Sequence, residues 1–221
     1  MLLFIALGLL IWSIILSIKI PRTFHKWNQV RALSGITGAE AARRILNANG
    51  IYDVAINTIS GSLSDHYDPR SKTLNLSIDV ANNASVGALA VAAHECGHAI
   101  QHHEGYSLLK FRNSLVPVAN IGSNLGIWLC ILGFAFSFVA FLIPIGIILF
   151  AFAVIFHVVT LPVELNASKR AMALLENGYM LQTYEETQGA KKMLSAAAMT
   201  YVAAALASVI QLLRLIGGSR N

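Results

Sequence analysis

From Asn113 to Val163 the chain carries no Asp, Glu, Lys or Arg, and His157 is the one histidine in the tract. A bilayer span needs about 20 residues, so a tract of this length is too long for one helix and too apolar for a soluble surface. Pro144 and Gly146 offer a place to turn. The tract therefore reads as a transmembrane hairpin, with helices expected over about 115–140 and 145–163.

Two further stretches have the same character. Leu2 to Ile18 is uncharged up to Lys19. It lacks the basic n-region and small-residue cleavage site of a signal peptide, so an uncleaved anchor is the expectation. Ala196 to Ile216 is rich in Ala, Leu and Val and is followed by Gly217-Gly218, although Gln211 and Arg214 leave a packed amphipathic helix as the alternative. Only 12% of the residues are charged, about half the fraction usual in soluble domains.

The 16 Lys and Arg are unevenly divided among these spans. Ten lie within 19–114, four within 164–195, none at the hairpin tip, and Arg214 and Arg220 in the tail. Lys19, Arg22, Lys110, Arg112, Lys169 and Arg170 sit close to span ends, where positive charge is retained in the cytosol. Both large polar segments are thus expected inside and both termini outside. The net charge of +5 reads as topology and anionic-lipid contact, not nucleic-acid binding. Cys96 and Cys130 suggest no disulfide in a reducing compartment.

Between Ile20 and Ser114 the pattern becomes that of a small α+β unit. Thr37 and Glu40 form a capping box for a helix ending at Gly50. Strands are expected at 51–59 and 72–78. Asn83 or Ser85 then caps a helix running to Gly105. An exposed strand edge around Leu63 to Ser77 would suit an extended peptide.

That last helix carries VAAHECGHAIQHHEG, residues 91–105. His94 and His98 are four apart, about 40° around a helix and about 6 Å along it, so both imidazoles can reach one ion. Glu95 sits beside that ion, placed to take a proton from a metal-activated water. A solvated polar helix with coincidental spacing is the alternative. A catalytic zinc takes three protein ligands and keeps one position open. His102 and His103 are nearby, but His94 and His102 are about 12 Å apart along a straight helix and cannot converge. Glu164, at the end of the uncharged tract, is the better third ligand, since an ionisable group there is costly and usually functional. An interfacial carboxylate paired with Lys169 or Arg170 is its alternative. Pro162 would kink the helix beside it. Cys96 points off the His94/His98 face. Tyr179, His66 and Tyr67 are candidates for oxyanion stabilisation, with His102 and His157 as further supporting residues.

VAAHECGHAIQ, GSLSDHYDPRSKTLNLS and VTLPVELNASKRA, in that order, resemble the YugP-like family of neutral zinc metallopeptidases of bacterial membranes. The likeness covers most of the chain. A looser one connects it to the HtpX and CAAX-prenyl-protease type, whose third ligand lies in an E-x-x-A-D-x-x-A helix. Ser168 stands where those relatives have the acid that orients a zinc-binding histidine. The resemblance implies His94, His98 and Glu164 as ligands of one zinc ion, and Glu95 as general base. It also implies an α-helical integral membrane protein of about four transmembrane helices, with a small zincin-like cytosolic part carrying H-E-x-x-H on a helix.

The expected organisation is an anchor at 1–19, the α+β metallopeptidase part at 20–114 and the hairpin at 115–163. A cytosolic helix with the third ligand follows at 164–195, and a fourth span at 196–216. The expected function is peptide-bond hydrolysis at the cytosolic face of the bacterial inner membrane, by a zinc-activated water with Glu95 as base. Substrates would be peptides or membrane proteins. A catalytically silent zinc-binding scaffold is the competing reading, and intact Glu95 argues against it. A transporter is disfavoured because the spans hold few polar residues to line a pathway.

Overall fold

The computed structural model describes residues 2–219, so Met1 of the anchor and Arg220 of the tail lie outside the described residues. Among the described residues, seven α-helices and three strands follow in order: α1 (Leu2–Asn28), α2 (Gly38–Ala48), β1 (Ala55–Ile59), β2 (His66–Asp68), β3 (Thr73–Ser77), α3 (Ile78–Ala81), α4 (Val86–His103), α5 (Ser107–Ala135), α6 (Leu142–Asn177) and α7 (Tyr184–Gly218). The chain divides into two compact units. One comprises 1–15, 107–163 and 200–221, and the other 16–106 and 164–199.

Among the described residues, four helices are long and apolar enough to cross a membrane: Phe4–Asn28, Ser107–Ala135, Leu142–Asn177 and Tyr184–Gly218. Large side chains such as Trp128, Phe138, Phe141 and Ile148 are mostly exposed, a surface that lipid, not water, would cover. The helices exceed the expected spans. Pro144 falls in the first turn of α6, where a missing N–H leaves no bond unmade. The hairpin accordingly turns earlier, at residues 136–141, around a short 3-10 segment Ser137–Val139. At Pro162, α6 continues unbroken to Asn177. The fourth span is part of a helix that begins at Tyr184 rather than at Ala196.

Within the first unit, α5 and α6 meet through glycine. A Cβ on Gly122 would fall on the Leu149 carbonyl, and one on Gly126 would lie 2.9 Å from the Gly146 oxygen. Small residues four apart let two membrane helices bring their backbones into contact.

The second unit contains the sheet. β3 is central, pairing parallel with β1 and antiparallel with β2. The edge expected around Leu63 to Ser77 is therefore confined to β2, because residues 73–75 are paired on both sides and 76–77 pair with β1. The expected strand at 51–59 begins only at Ala55, and β2 was not foreseen. Leu74 and Leu76 point into a core with Leu46, Val80, Val86, Leu89 and Leu175, all fully buried. Each such side chain contributes about 1.5–3 kcal/mol through burial. The capping box is present: Thr37 Oγ1 accepts from Glu40 N, and Glu40 Oε2 accepts from Thr37 N. Of the two caps proposed for α4, Ser85 serves, its hydroxyl accepting from Ala88 N. Asn83 instead donates to the Asn28 carbonyl.

Candidate metal centre

Helix α4 is built largely of alanine and glycine around its histidines, and that small surface sets the site. A Cβ on Gly97 would lie 2.8 Å from the Ala167 carbonyl oxygen. The backbones of α4 and α6 therefore touch at the residue before His98. This contact brings His94 and His98 from one helix against Glu164 and Ser168 from the other.

His94 Nε2 is 3.2 Å from Glu164 Oε2, and His98 Nε2 is 3.5 Å from the same oxygen. The ligating atoms of the three residues all lie within 4.8 Å of one another. The imidazole side chains are 13% and 12% exposed and that of Glu164 3%. Donor atoms about 2.0–2.2 Å from a tetrahedral zinc stand about 3.3–3.6 Å from each other. The two distances to Glu164 are already close to that spacing.

Charge points the same way. Glu95, beside His94, is buried, and burial pushes its carboxyl above the usual range, opposed by His94 and His98 and aided by Glu164 and Asp65. Burial alone would lower the His98 imidazole, but the hydrogen bond to Glu164 and the Glu95 charge outweigh it and raise it. Two carboxylates and two imidazoles share this pocket away from water, and buried negative charge of this kind is balanced by a cation, protons on these groups or a metal ion in their place. The residues fit a divalent ion with nitrogen and oxygen preference, which suits zinc.

The remaining ring nitrogens are also held. His94 Nδ1 is 3.2 Å from Ser168 Oγ, a contact with a neutral group. His98 Nδ1 is 3.1 Å from the Oε1 of Gln101, a fully buried side chain. Gln101 escaped the sequence reading. Its signal was a long polar side chain three residues after His98 on the same helical face. Glu95 Oε2 accepts from Tyr67 N at 3.1 Å, which aims the outer edge of β2 at that carboxylate.

Of the other predicted residues, Tyr67 meets Glu95 through its backbone and His102 meets Tyr67, while His66, Tyr179 and His157 lie elsewhere. Tyr67 Oη lies 2.8 Å from His102 Nδ1. Burial pushes the phenol up to about 12, so it stays protonated at neutral pH. His102 and His103 line a cleft of about 190 Å³ with Asp53, Tyr67 and Lys72, and none of the three cluster residues lines it. His66 turns its ring to the Ser64 carbonyl and the Asn75 amide. Tyr179 is 82% exposed and sits at φ 52° in the turn after α6. His157 belongs to the other unit, its ring against Phe156. The Cys96 thiol is buried facing the Ala42 carbonyl. Arg170, offered as a partner for Glu164, is instead clamped by Glu104.

Residues 1–220 match the family described as "Putative neutral zinc metallopeptidase". The chain belongs to that family. It is also 46% identical, over 96% of its own length and 92% of the relative's, to the "Putative membrane protease YugP" of Bacillus subtilis (strain 168). No solved structure matches the chain. The family's description names zinc, and His94, His98 and Glu164 are the group among the described residues that could hold it.

Proposed function

We propose that the chain is a membrane-embedded zinc endopeptidase of the gluzincin type, with His94, His98 and Glu164 holding the metal and Glu95 as general base. The convergence of two imidazoles and a carboxylate, with a second carboxylate one residue from the first histidine, carries this reading. A bound zinc would supply a Lewis acid for the scissile carbonyl and bring the pKa of water toward 7.

The chain's own residues do the rest. Glu95 takes a proton from water and returns it to the leaving amine. Tyr67 N–H holds the carboxylate in place through Oε2, leaving Oε1 for the proton. Ser168 and Gln101 hold the two imidazoles in orientation, as outer partners of metal-binding histidines do. The edge of β2 runs beside Glu95, and an extended peptide pairing there would present its backbone to the base.

The distribution of Lys and Arg favours a cytosolic site, within the bacterial inner membrane. Glu164 directly follows the apolar run of α6 that ends at Val163. It stands where that helix would leave the hydrocarbon, so segments of membrane proteins and peptides near the bilayer are the substrates this reading favours.

The test is the metal content of purified protein together with peptide cleavage. His94→Ala, His98→Ala and Glu164→Ala should each lose most of the zinc, whereas Glu95→Gln should keep zinc and lose turnover. Full zinc in Glu164→Ala would sink the ligand set. Unchanged cleavage by Glu95→Gln would sink the base, and a zinc-loaded wild type that cleaves nothing would leave the scaffold reading.

A further inference from the structure

Behind His98 stands a line of side chains whose hydrogen bonds can run in only one direction. Arg170 Nε donates to Asn166 Oδ1 at 2.8 Å. A guanidinium has no acceptor, so the Asn166 atom facing it must be the oxygen. The same oxygen lies 2.9 Å from Gln101, so Gln101 must present its Nε2–H₂ there. That orientation leaves Gln101 Oε1 facing His98 Nδ1 at 3.1 Å. An amide oxygen only accepts, so the proton belongs on Nδ1. In the neutral ring Nε2 is then the nitrogen left for a metal, on the side of Glu164.

We propose that Arg170, Asn166 and Gln101 are positioning residues that set the tautomer of His98, so that it offers an unprotonated Nε2 to a metal. The polarity is anchored at the far end by Glu104, which takes both Nη1 and Nη2 of Arg170 at 2.9 and 2.7 Å. Were the Asn166 amide reversed, its NH₂ would confront the guanidinium. Were Gln101 reversed, its NH₂ would confront Nδ1–H, and the proton would be driven to the nitrogen that must ligate. Gln101 is wholly buried, so water does not readily replace a broken link. His94 has no equivalent, because Ser168 is a hydroxyl that rotates to donate or accept. The two histidines therefore differ: one is fixed by a directed line of bonds, the other adapts.

The inference deepens the zinc reading and rests on it only for affinity, so the test has a metal-free arm. The full chain, labelled with ¹⁵N-histidine and stripped of metal in detergent, is compared in a Glu164→Ala background, which removes the carboxylate competing at Nε2. Measurement is made at a pH that keeps imidazole neutral, and His98 is identified by the signal lost in His98→Gln. The proton is expected on Nδ1. Adding Gln101→Met should abolish that preference.

In the otherwise wild-type chain, Gln101→Met and Asn166→Leu should weaken zinc binding about 10–100-fold in chelator competition. Asn166→Asp, whose oxygens still accept from both neighbours, should restore most of it. A proton on Nε2 in the Glu164→Ala spectrum overturns the proposal. So does an Asn166→Asp protein as weak as Asn166→Leu, or a zinc affinity indifferent to both Gln101→Met and Asn166→Leu. Retention of zinc by His94→Ala would instead refute the metal assignment, and the metal-free spectrum would still decide the tautomer.

Discussion

At Gly97 a hydrogen atom is all that fits between two helices. The residue is one of the unspecified positions of H-E-x-x-H, yet it faces the Ala167 carbonyl so closely that any Cβ must displace backbone. Gly97→Val should cost about 1–3 kcal/mol or more, as overpacking does, and the loss should fall on zinc retention as much as on thermal stability. A variant that keeps wild-type zinc would show that α4 and α6 can part here without harm. Ser168 makes a second prediction at this scale. Ser168→Ala removes the His94 Nδ1 partner and should lower zinc affinity about 10-fold, the low end for outer partners of a ligand, because the lost contact is to a neutral group. Chelator titration of the purified variant checks it.

Among the elements, the start of α7 is held by one carboxylate. Glu186, 3% exposed, accepts from Gln182 N at 2.6 Å, Thr183 N at 3.2 Å and Leu33 N at 2.7 Å. It serves both as the reciprocal partner of the Thr183 cap and as a tie to the loop after α1. Removing it leaves buried donors unpaired, so Glu186→Ala should destabilise the unit by about 2–4 kcal/mol, read as a fall in melting temperature. Glu186→Gln should cost less, since one acceptor remains.

This helix also shows the limits of pattern reading. The T-Y-E-E run at 183–186 has the capping-box spacing that was recognised at Thr37, but the apolar count drew attention to Ala196, twelve residues into α7. The hairpin was legible as two helices because charge is absent throughout. Its turn was misplaced because proline both ends helices and begins them, and Pro144 does the second. The closeness of α5 and α6 was written as G-S-N-L-G at 122–126, yet nothing local says which helix such a face will meet. The pairing of His94 with His98 in the cluster was readable because spacing four on a helix is a strong geometric statement. Gln101 and the β2 contact were not, since both depend on partners 65 and 28 residues away.

At the scale of the whole molecule, the proposed zinc couples binding to folding. Saturating zinc at about 1,000 times its Kd would add about 4 kcal/mol to the stability of the unit that binds it. Chelation should therefore lower the melting temperature reversibly, and His98→Ala should abolish the response. Topology is tested by cysteine labelling in a chain freed of Cys96 and Cys130. Probes at the hairpin turn and at Ser219 should react from outside, while those replacing Lys72 or Lys191 should react only after permeabilisation. Labelling at Lys72 in intact cells would reverse the assigned orientation.

The 70 residues that separate His94 from Glu164 have a consequence for how such a protein is made. A ribosome delivers Glu95 and both histidines well before Glu164, and the whole apolar hairpin must be synthesised in between. Until Glu164 arrives the nascent chain holds only two of the three proposed ligands, too few for a firmly held catalytic metal. On the proposed reading the site stays mute through the synthesis of α1, α5 and the apolar run of α6, and it gains its voice at Glu164, with α7 still to be made. A chain stopped at Val163 should accordingly recover no zinc, however long it is left in the bilayer.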